Sequence, residues 1–324
     1  MPSCSIFKHG VTIGPTGAVR PCCAFNVKKE NPNLYWEDDW QTRHAEWGKR
    51  SETEWLDECA ECKLSEQVNG SSLRTTYNKQ FNTNEPGIKH WDLKINNTCN
   101  FACRMCNQTS SSTWANIVKD NQDNSWDTYY NVKHDTRWAK QSLEFSHHML
   151  DAKVIKFTGG EPFLIPQVKK IIQRLIDEDV APAIELDLIT NGSHDMTAWN
   201  HYFEKFKRVN VNISIEAVGK RYEYIRPGSS WLTTSQNAVK FNKQKPKNTN
   251  LTVTVLPMIF NRNNIDEIID WCVCNNINYF QSTPVIDPAF MSPDAMKSGI
   301  LRKQLIEQSK IMDKIHGTNY QDFI

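Results

Sequence analysis

The sequence predicts an α/β protein, a partial (βα)6 barrel preceded by a small cysteine-rich, metal-binding module. Three observations carry that expectation. From about Ile155 onward, short runs rich in Val and Ile alternate with helically patterned segments, as in βα units that feed a parallel sheet. Ten cysteines fall in groups separated by long cysteine-free stretches. The first 88 residues hold five of those cysteines, many turn residues and no sustained period of either kind.

Composition narrows the function. The chain has 324 residues, 39% hydrophobic and 23% charged, with a mean hydropathy of -0.60, which is the profile of a globular protein with room for a sizeable core. Lys and Arg number 38 against 37 Asp and Glu, a net charge of +1, so electrostatics offers no general argument for nucleic acid or an anionic membrane as partner. No apolar run approaches the roughly 18 residues of a membrane span. The opening MPSCSIFKHGVTIG lacks the long apolar stretch of a secretory signal. The expected location is the cytoplasm, where ten cysteines are reduced thiols and their clustering points to metal.

Taken in order, strands are expected at 91–96, 154–158, 184–189, 209–216, 251–257 and 277–283. Helices are expected around SSTWANIVK and over 165–179, 235–243 and 265–276, where apolar residues recur at helical spacing. Six strands with intervening helices fit an incomplete barrel. An open doubly wound sheet has the same local signals, and both architectures place their sites after strand ends. The expected divisions are a module at 1–88, the barrel at 89–290 and a helical extension at 291–324, with the turn-forming stretch 82–90 at the first boundary. Residues 119–147 read as a polar, aromatic insertion with helix from about 136. Cys272 and Cys274 lie two apart on an expected helix, point to different sides, and are poor partners for one metal.

The chemistry sits at the strand ends. After WDLKIN comes NTCNFACRMCN, which sets Cys99, Cys103 and Cys106 on one loop leading into a helix. Three thiolates there reach a single centre, and a four-iron, four-sulfur cluster held by three cysteines keeps one iron open to another donor. The second strand ends in KFTGGEP. Gly159 and Gly160 allow close backbone approach, and the Glu161 carboxylate, ahead of Pro162, accepts hydrogen bonds from a cationic amine. The third strand ends in LITNGS, with Asn191 and Ser193 at its rim. The fourth, VNISIEAV, puts Ser214 and Glu216 on one side of the strand, and YEYIRPGSSW follows with Arg226. Taken one at a time, these are a zinc loop, tight turns, a salt-bridged strand residue and an exposed arginine.

Four such motifs in sequence, each one βα unit apart, resemble the radical S-adenosylmethionine (SAM) superfamily. The resemblance implies a TIM-like partial barrel of the radical SAM type, with a 4Fe-4S cluster on Cys99, Cys103 and Cys106. It implies that Gly159, Gly160, Glu161 and Pro162 bind the SAM amino group. Asn191 and Ser193 would sit at the same rim, Ser214 and Glu216 would contact the ribose and methionine end, and Arg226 would face the SAM carboxylate or the substrate. The fifth strand, LTVTVLPMIFN, would offer backbone to the adenine. The implied reaction is reductive cleavage of SAM to methionine and a 5′-deoxyadenosyl radical that abstracts a substrate hydrogen, with an electron donor such as flavodoxin or ferredoxin.

Ahead of the barrel, Cys4-x12-Gly17-x4-Cys22 resembles the opening of the SPASM and twitch auxiliary-cluster domains, and Cys59-x2-Cys62 adds a chelating knuckle. The match is to the shortened twitch form, and here it precedes the barrel that it follows elsewhere in the family. Cys4, Cys22, Cys59 and Cys62 would enclose a second, fully ligated 4Fe-4S cluster, with Cys22 preferred to Cys23 on spacing. A structural zinc site uses the same four-cysteine set and stays open as an alternative. Glu66, Gly70, Ser72 and Arg74 resemble the segment that joins such a module to its barrel. A closed auxiliary cluster would accept an electron from a substrate radical, which favours oxidative modification or cross-linking of a peptide or protein side chain. A dehydrogenase or cyclase acting on a small carbohydrate or nucleotide is one alternative, and a non-catalytic iron–sulfur electron carrier another. Tyr222, Tyr224 and Trp231 would line a substrate channel or pack under a loop.

Overall fold

The computed structural model describes residues 3–26, 34–81, 85–121, 136–285 and 288–323. In chain order the strands and longer helices are β1 (Gly10–Ile13), β2 (Ala18–Arg20), β3 (Leu34–Tyr35), α1 (Trp40–Ser51), α2 (Ala60–Asn69), α3 (Leu73–Gln80) and β4 (His90–Leu93). Then come α4 (Ser112–Asp120), α5 (Thr136–Phe145), β5 (Val154–Phe157), α6 (Pro166–Asp177), β6 (Glu185–Thr190) and β7 (Arg208–Ser214). The series ends with α7 (Gly219–Ile225), α8 (Trp231–Gln244), β8 (Thr249–Val255), α9 (Ile265–Cys274), β9 (Asn278–Gln281) and α10 (Gly299–His316).

All six expected strands are present as β4 to β9, and they follow one another in a sheet whose order is β3-β2-β1-β4-β5-β6-β7-β8-β9. Helices intervene between them, which is the order of a partial (βα)6 barrel. Strands β1 to β3 were not legible in the sequence, because two to four residues are too few to show an alternating pattern. Of the 119–147 insertion, residues 122–135 lie outside the described residues, and the helix expected from about 136 is α5. No helix among the described residues is long and apolar enough to cross a membrane.

The chain divides into two compact units. The first comprises Met1–Asn97, Lys133–Asp187 and Lys205–Arg208. In it β1 runs antiparallel to β2 and parallel to β4, and β4 runs parallel to β5. The register aligns Thr12 with Asp92 and Asp92 with Lys156, so a polar row crosses one face of these strands. The buried Asp92 carboxylate accepts from Thr158 Oγ1 at 3.1 Å and Lys156 Nζ at 3.4 Å. A core of Ile6, Phe7, Phe25, Trp47, Leu56, Tyr77 and Phe81 holds the N-terminal segments together. Helix α1 starts where Asp39 accepts from Thr42 N, and α3 where Ser72 and Thr75 form a reciprocal capping box. Helix α6 buries Val168, Ile171, Ile172 and Leu175, the stripe its 3.6-residue period predicts.

The second unit comprises Thr98–Val132, Leu188–Glu204 and Val209–Ile324. Strands β7, β8 and β9 pair in parallel. Val209, Val211 and Ile213 of β7 and Leu251, Val253 and Val255 of β8 are buried at alternate positions. Strand β9 stands last in the sheet order, and all four of its residues are exposed, including Tyr279 and Phe280. Cys272 is buried and Cys274 exposed, as expected for residues two apart on a helix.

Candidate functional site

In the second unit, the backbone of the loop carrying Cys99, Cys103 and Cys106 is held mainly by side chains at the start of α4. Ser111 caps α4 by accepting from Trp114 N, and donates to the Phe101 carbonyl at 2.6 Å. The Cys99 carbonyl accepts from Ser112 Oγ at 3.0 Å and Thr113 Oγ1 at 2.8 Å. Trp114 Nε1 donates to the Cys103 carbonyl at 2.7 Å, and Cys106 N donates to the same oxygen at 2.8 Å. The helix expected after the motif is therefore the platform on which the loop is built.

A second segment closes on the loop from α7. Ala102 N donates to the Pro227 carbonyl and Arg104 N to the Ile225 carbonyl, both at 2.9 Å, so Cys103 and Arg226 face each other across a short two-bond ladder. Gly228, at φ 91, makes the approach possible, since a Cβ there would lie 2.9 Å from the Asn100 carbonyl oxygen. Arg226 is buried; its Nε and Nη2 bind Glu216, the latter at 2.6 Å, and its Nη1 lies 3.4 Å from Cys103 Sγ. Burial opposes the charge on Arg226, but Glu216 and the Cys103 sulfur outweigh it and hold the guanidinium above the ordinary arginine range. Burial pushes the Cys103 thiol up, against the pull of Arg226.

Asn191 Nδ2 lies 3.8 Å from Cys99 Sγ and donates to Asn100 Oδ1 at 3.0 Å, while its Oδ1 accepts from Ser193 N at 2.9 Å. Ser193 Oγ lies 3.4 Å from the same Asn100 oxygen. Ser214 ends β7, in register with Thr254 of β8. Cys99, Cys103, Asn191, Ser193, Glu216 and Arg226 are thus linked in two short chains of contacts. Tyr222 and Tyr224 are buried. Tyr222 OH donates to the Asn191 carbonyl at 3.3 Å, and Tyr224 stacks on Phe323 with ring centroids 4.1 Å apart.

Several participants carried no sequence signal. Arg104, inside the cysteine loop, is buried; it donates to the Tyr224 carbonyl at 2.8 Å and to Asp313 of α10 at 2.7 Å, and lies over the Tyr224 ring. Asp313 also accepts from Thr318 Oγ1 and Tyr320 N. Asn261, fully buried, donates to the carbonyls of Glu216 and Leu256 and accepts from Met258 N, which fixes the chain just after β7 and β8. Only a buried partner distinguishes such residues from ordinary polar ones, and no single sequence displays it.

In the first unit, Gly159 and Gly160 adopt left-handed φ values of 67° and 59° after β5. A Cβ on Gly159 would lie 2.8 Å from the Lys94 stem. Glu161, fully buried, accepts from Phe163 N at 3.3 Å and opens the short helical turn that starts with Pro162.

The N-terminal cysteines form a separate group in this unit. Cys4, Cys22, Cys59 and Cys62 line one pocket with Ile6, Leu56, Trp55 and Arg74. Burial pushes the Cys4 thiol up to about 11 and the Cys59 thiol up to about 12, and the neighbouring thiols add to both. Cys23 turns elsewhere: it is exposed, and its electrostatic partners are Lys156, Asp92, Lys94 and Tyr77. Among the described residues no three Cys, His, Asp or Glu converge tightly enough for a single metal ion. Four thiols grouped around one pocket fit a metal centre that would displace their protons and be held by the resulting thiolates.

Comparison with known proteins settles the family. The sequence pattern of the radical SAM superfamily matches residues 93–272. The chain belongs to the radical SAM superfamily. The cofactors of that superfamily are a 4Fe-4S cluster and SAM, and the three-cysteine loop fits the cluster. The chain is 26% identical over 192 residues, 57% of its own length and 55% of the relative's, to a probable GTP 3′,8-cyclase of Methanococcus maripaludis. Among solved structures it is similar to anSMEcpe with bound AdoMet, at 16% identity and a TM-score of 0.45, covering 60% of this chain and 52% of that one. It is also similar to Streptococcus suis SuiB bound to S-adenosylmethionine, at 14% identity and a TM-score of 0.46, covering 86% of this chain and 60% of that one. The chain therefore spans between 52% and 60% of the length of these proteins.

Proposed function

We propose that this radical SAM chain carries out oxidative modification or cross-linking of a peptide or protein side chain. The observation that carries the reading is that Cys4, Cys22, Cys59 and Cys62 line one pocket. Cys4, Cys22, Cys59 and Cys62 would hold an auxiliary 4Fe-4S cluster with no open iron, which would suit it to electron acceptance and not to anchoring substrate. When bound at Cys99, Cys103 and Cys106, the other cluster supplies the electron for SAM cleavage.

The chain's own residues bind and orient. Gly159 and Gly160 turn the chain after β5 in left-handed conformations, with the Lys94 stem packed where a Gly159 side chain would lie, and Glu161 offers a carboxylate to the SAM amine. Asn191 and Ser193 fix the Cys99 side of the loop, and Arg226 with Glu216 fixes the Cys103 side. A peptide substrate is supported by β9, whose exposed edge and two exposed aromatics suit the addition of an extended strand.

A second reading, cyclisation or dehydrogenation of a small nucleotide, is favoured by the likeness to the probable GTP 3′,8-cyclase. The test is anaerobic reconstitution, with iron and sulfide counted and EPR recorded, on wild type and on a variant with Cys99, Cys103 and Cys106 changed to Ala. About eight irons in the wild type and four in the variant are expected. With SAM and dithionite the wild type should release 5′-deoxyadenosine, and a peptide library, not GTP, should raise that release. A fully loaded protein that releases none sinks the enzyme reading. Stimulation by GTP alone selects the second.

A further inference from the structure

Arg226 is placed to act on the cluster through a ligand. Two backbone hydrogen bonds, from Ala102 N to the Pro227 carbonyl and from Arg104 N to the Ile225 carbonyl, flank Cys103 on one strand and Arg226 on the other. Register is thereby imposed by the chain, and the arginine does not reach Cys103 by a chance rotamer. Its guanidinium is divided in two: Nε and Nη2 are taken by Glu216, and the remaining Nη1 faces Cys103 Sγ at 3.4 Å. Both side chains are buried, so water does not screen the charges. Glu216 is anchored in turn by Asn261, which donates to its carbonyl.

A positive N–H donor beside a thiolate stabilises the more negative, reduced state of an iron–sulfur centre, and a carboxylate behind it takes part of that effect away. We propose that Arg226, with Glu216 as its counter-charge, sets the reduction potential of the cluster held by Cys99, Cys103 and Cys106. Asn191 Nδ2, at 3.8 Å from Cys99 Sγ, is a neutral donor in the same role with a smaller effect. These are positioning residues acting through the cysteines, and the inference rests on the cluster assignment of the proposed function.

The test is a redox titration followed by EPR on the reconstituted full-length protein without SAM, with iron counted in every sample. The N-terminal centre is removed by Cys59→Ala in all variants so that one signal is read. Arg226→Gln should shift the potential downward, Glu216→Gln upward, and Asn191→Ala downward by less. Arg226→Lys keeps the charge and should stay nearer wild type than Arg226→Gln. Opposite signs for the two partners are a signature that mere loss of packing does not produce. Unchanged potentials at full iron content, or shifts of one sign for Arg226→Gln and Glu216→Gln, overturn the proposal. So does weaker SAM binding by Arg226→Gln at an unchanged potential, which makes the residue a SAM ligand only. If Arg226→Gln fails to take up iron, the sign for Glu216→Gln and the position of Arg226→Lys still decide. Absence of iron from the Cys59→Ala parent at Cys99, Cys103 and Cys106 is a failure of the cluster assignment itself and is read separately, from the iron count.

Discussion

The two cysteine groups are built on opposite plans. Cys99, Cys103 and Cys106 come from one short loop, and almost every polar group around them is engaged: carbonyls by Ser112, Thr113 and Trp114, sulfurs by Arg226 and Asn191. Cys4, Cys22, Cys59 and Cys62 come from three separate stretches and meet in a pocket walled by Ile6, Leu56 and Trp55, with the Arg74–Glu66 pair as the local charge partner. The loop is organised by hydrogen bonds of its own and of α4. The N-terminal group relies on apolar packing around its thiols. A centre that binds a cofactor and must reset needs the first plan, whereas one that cross-links remote segments works by the second.

The largest effects should separate the two groups by function. Cys103→Ala should reduce 5′-deoxyadenosine release from SAM to that of a protein-free control, while Cys59→Ala should leave SAM cleavage in place and halve the iron. Chromatography of the nucleoside and iron analysis read both. Equal loss in the two variants would erase the distinction. The next effect concerns the scaffold of the loop. Asp313→Ala strands Arg104 as a buried charge and should cost about 3–5 kcal/mol in denaturant unfolding. A change below 1 kcal/mol would mean that the loop does not depend on α10.

Acid should act on the first unit. Burial lowers His44 from 6.5 to about 4, and also lowers His90 to about 4, with Asp92 resisting. As pH falls below 6.5 the unfolded chain takes up these protons before the folded one, so the contribution is complete above pH 6.5 and is lost toward pH 4. Each histidine accounts for up to about 3 kcal/mol. Unfolding midpoints measured across pH 4 to 7 should flatten in His44→Phe, and an unchanged slope would remove this residue from the account. The smallest effect, none at all, is expected of Cys23 and is the sharpest discriminator. Cys22→Ser should lose the N-terminal iron, whereas Cys23→Ser should lose none, because adjacent side chains diverge and only Cys22 faces the group.

Much of this was legible in the chain. Strands β4 to β9 announced themselves as short Val- and Ile-rich or aromatic runs between helical stripes, whereas Gly159, Glu161 and Asn191 read singly as turn residues and stood out only through the resemblance of GGEP and the following strand ends to the superfamily's motifs. The platform of α4 was visible too, although its purpose was not. Strands β1 to β3 were too short to show a period. Arg104, Asp313 and Asn261 look like ordinary polar residues until burial gives each a partner. For Arg226, the resemblance pointed to the SAM carboxylate or the substrate, and the fold adds Glu216 and Cys103 as its contacts.

The sequence alone determined the superfamily, the six βα units and the thiols available to metal, since spacing along a loop and periodicity along an element are local properties. Tertiary structure decided which charges are paired out of water and which face of the arginine meets sulfur. Those depend on what a side chain meets across the fold, and residues such as Arg104 and Asp313 come into contact only when burial makes pairing cheaper than leaving either charge alone.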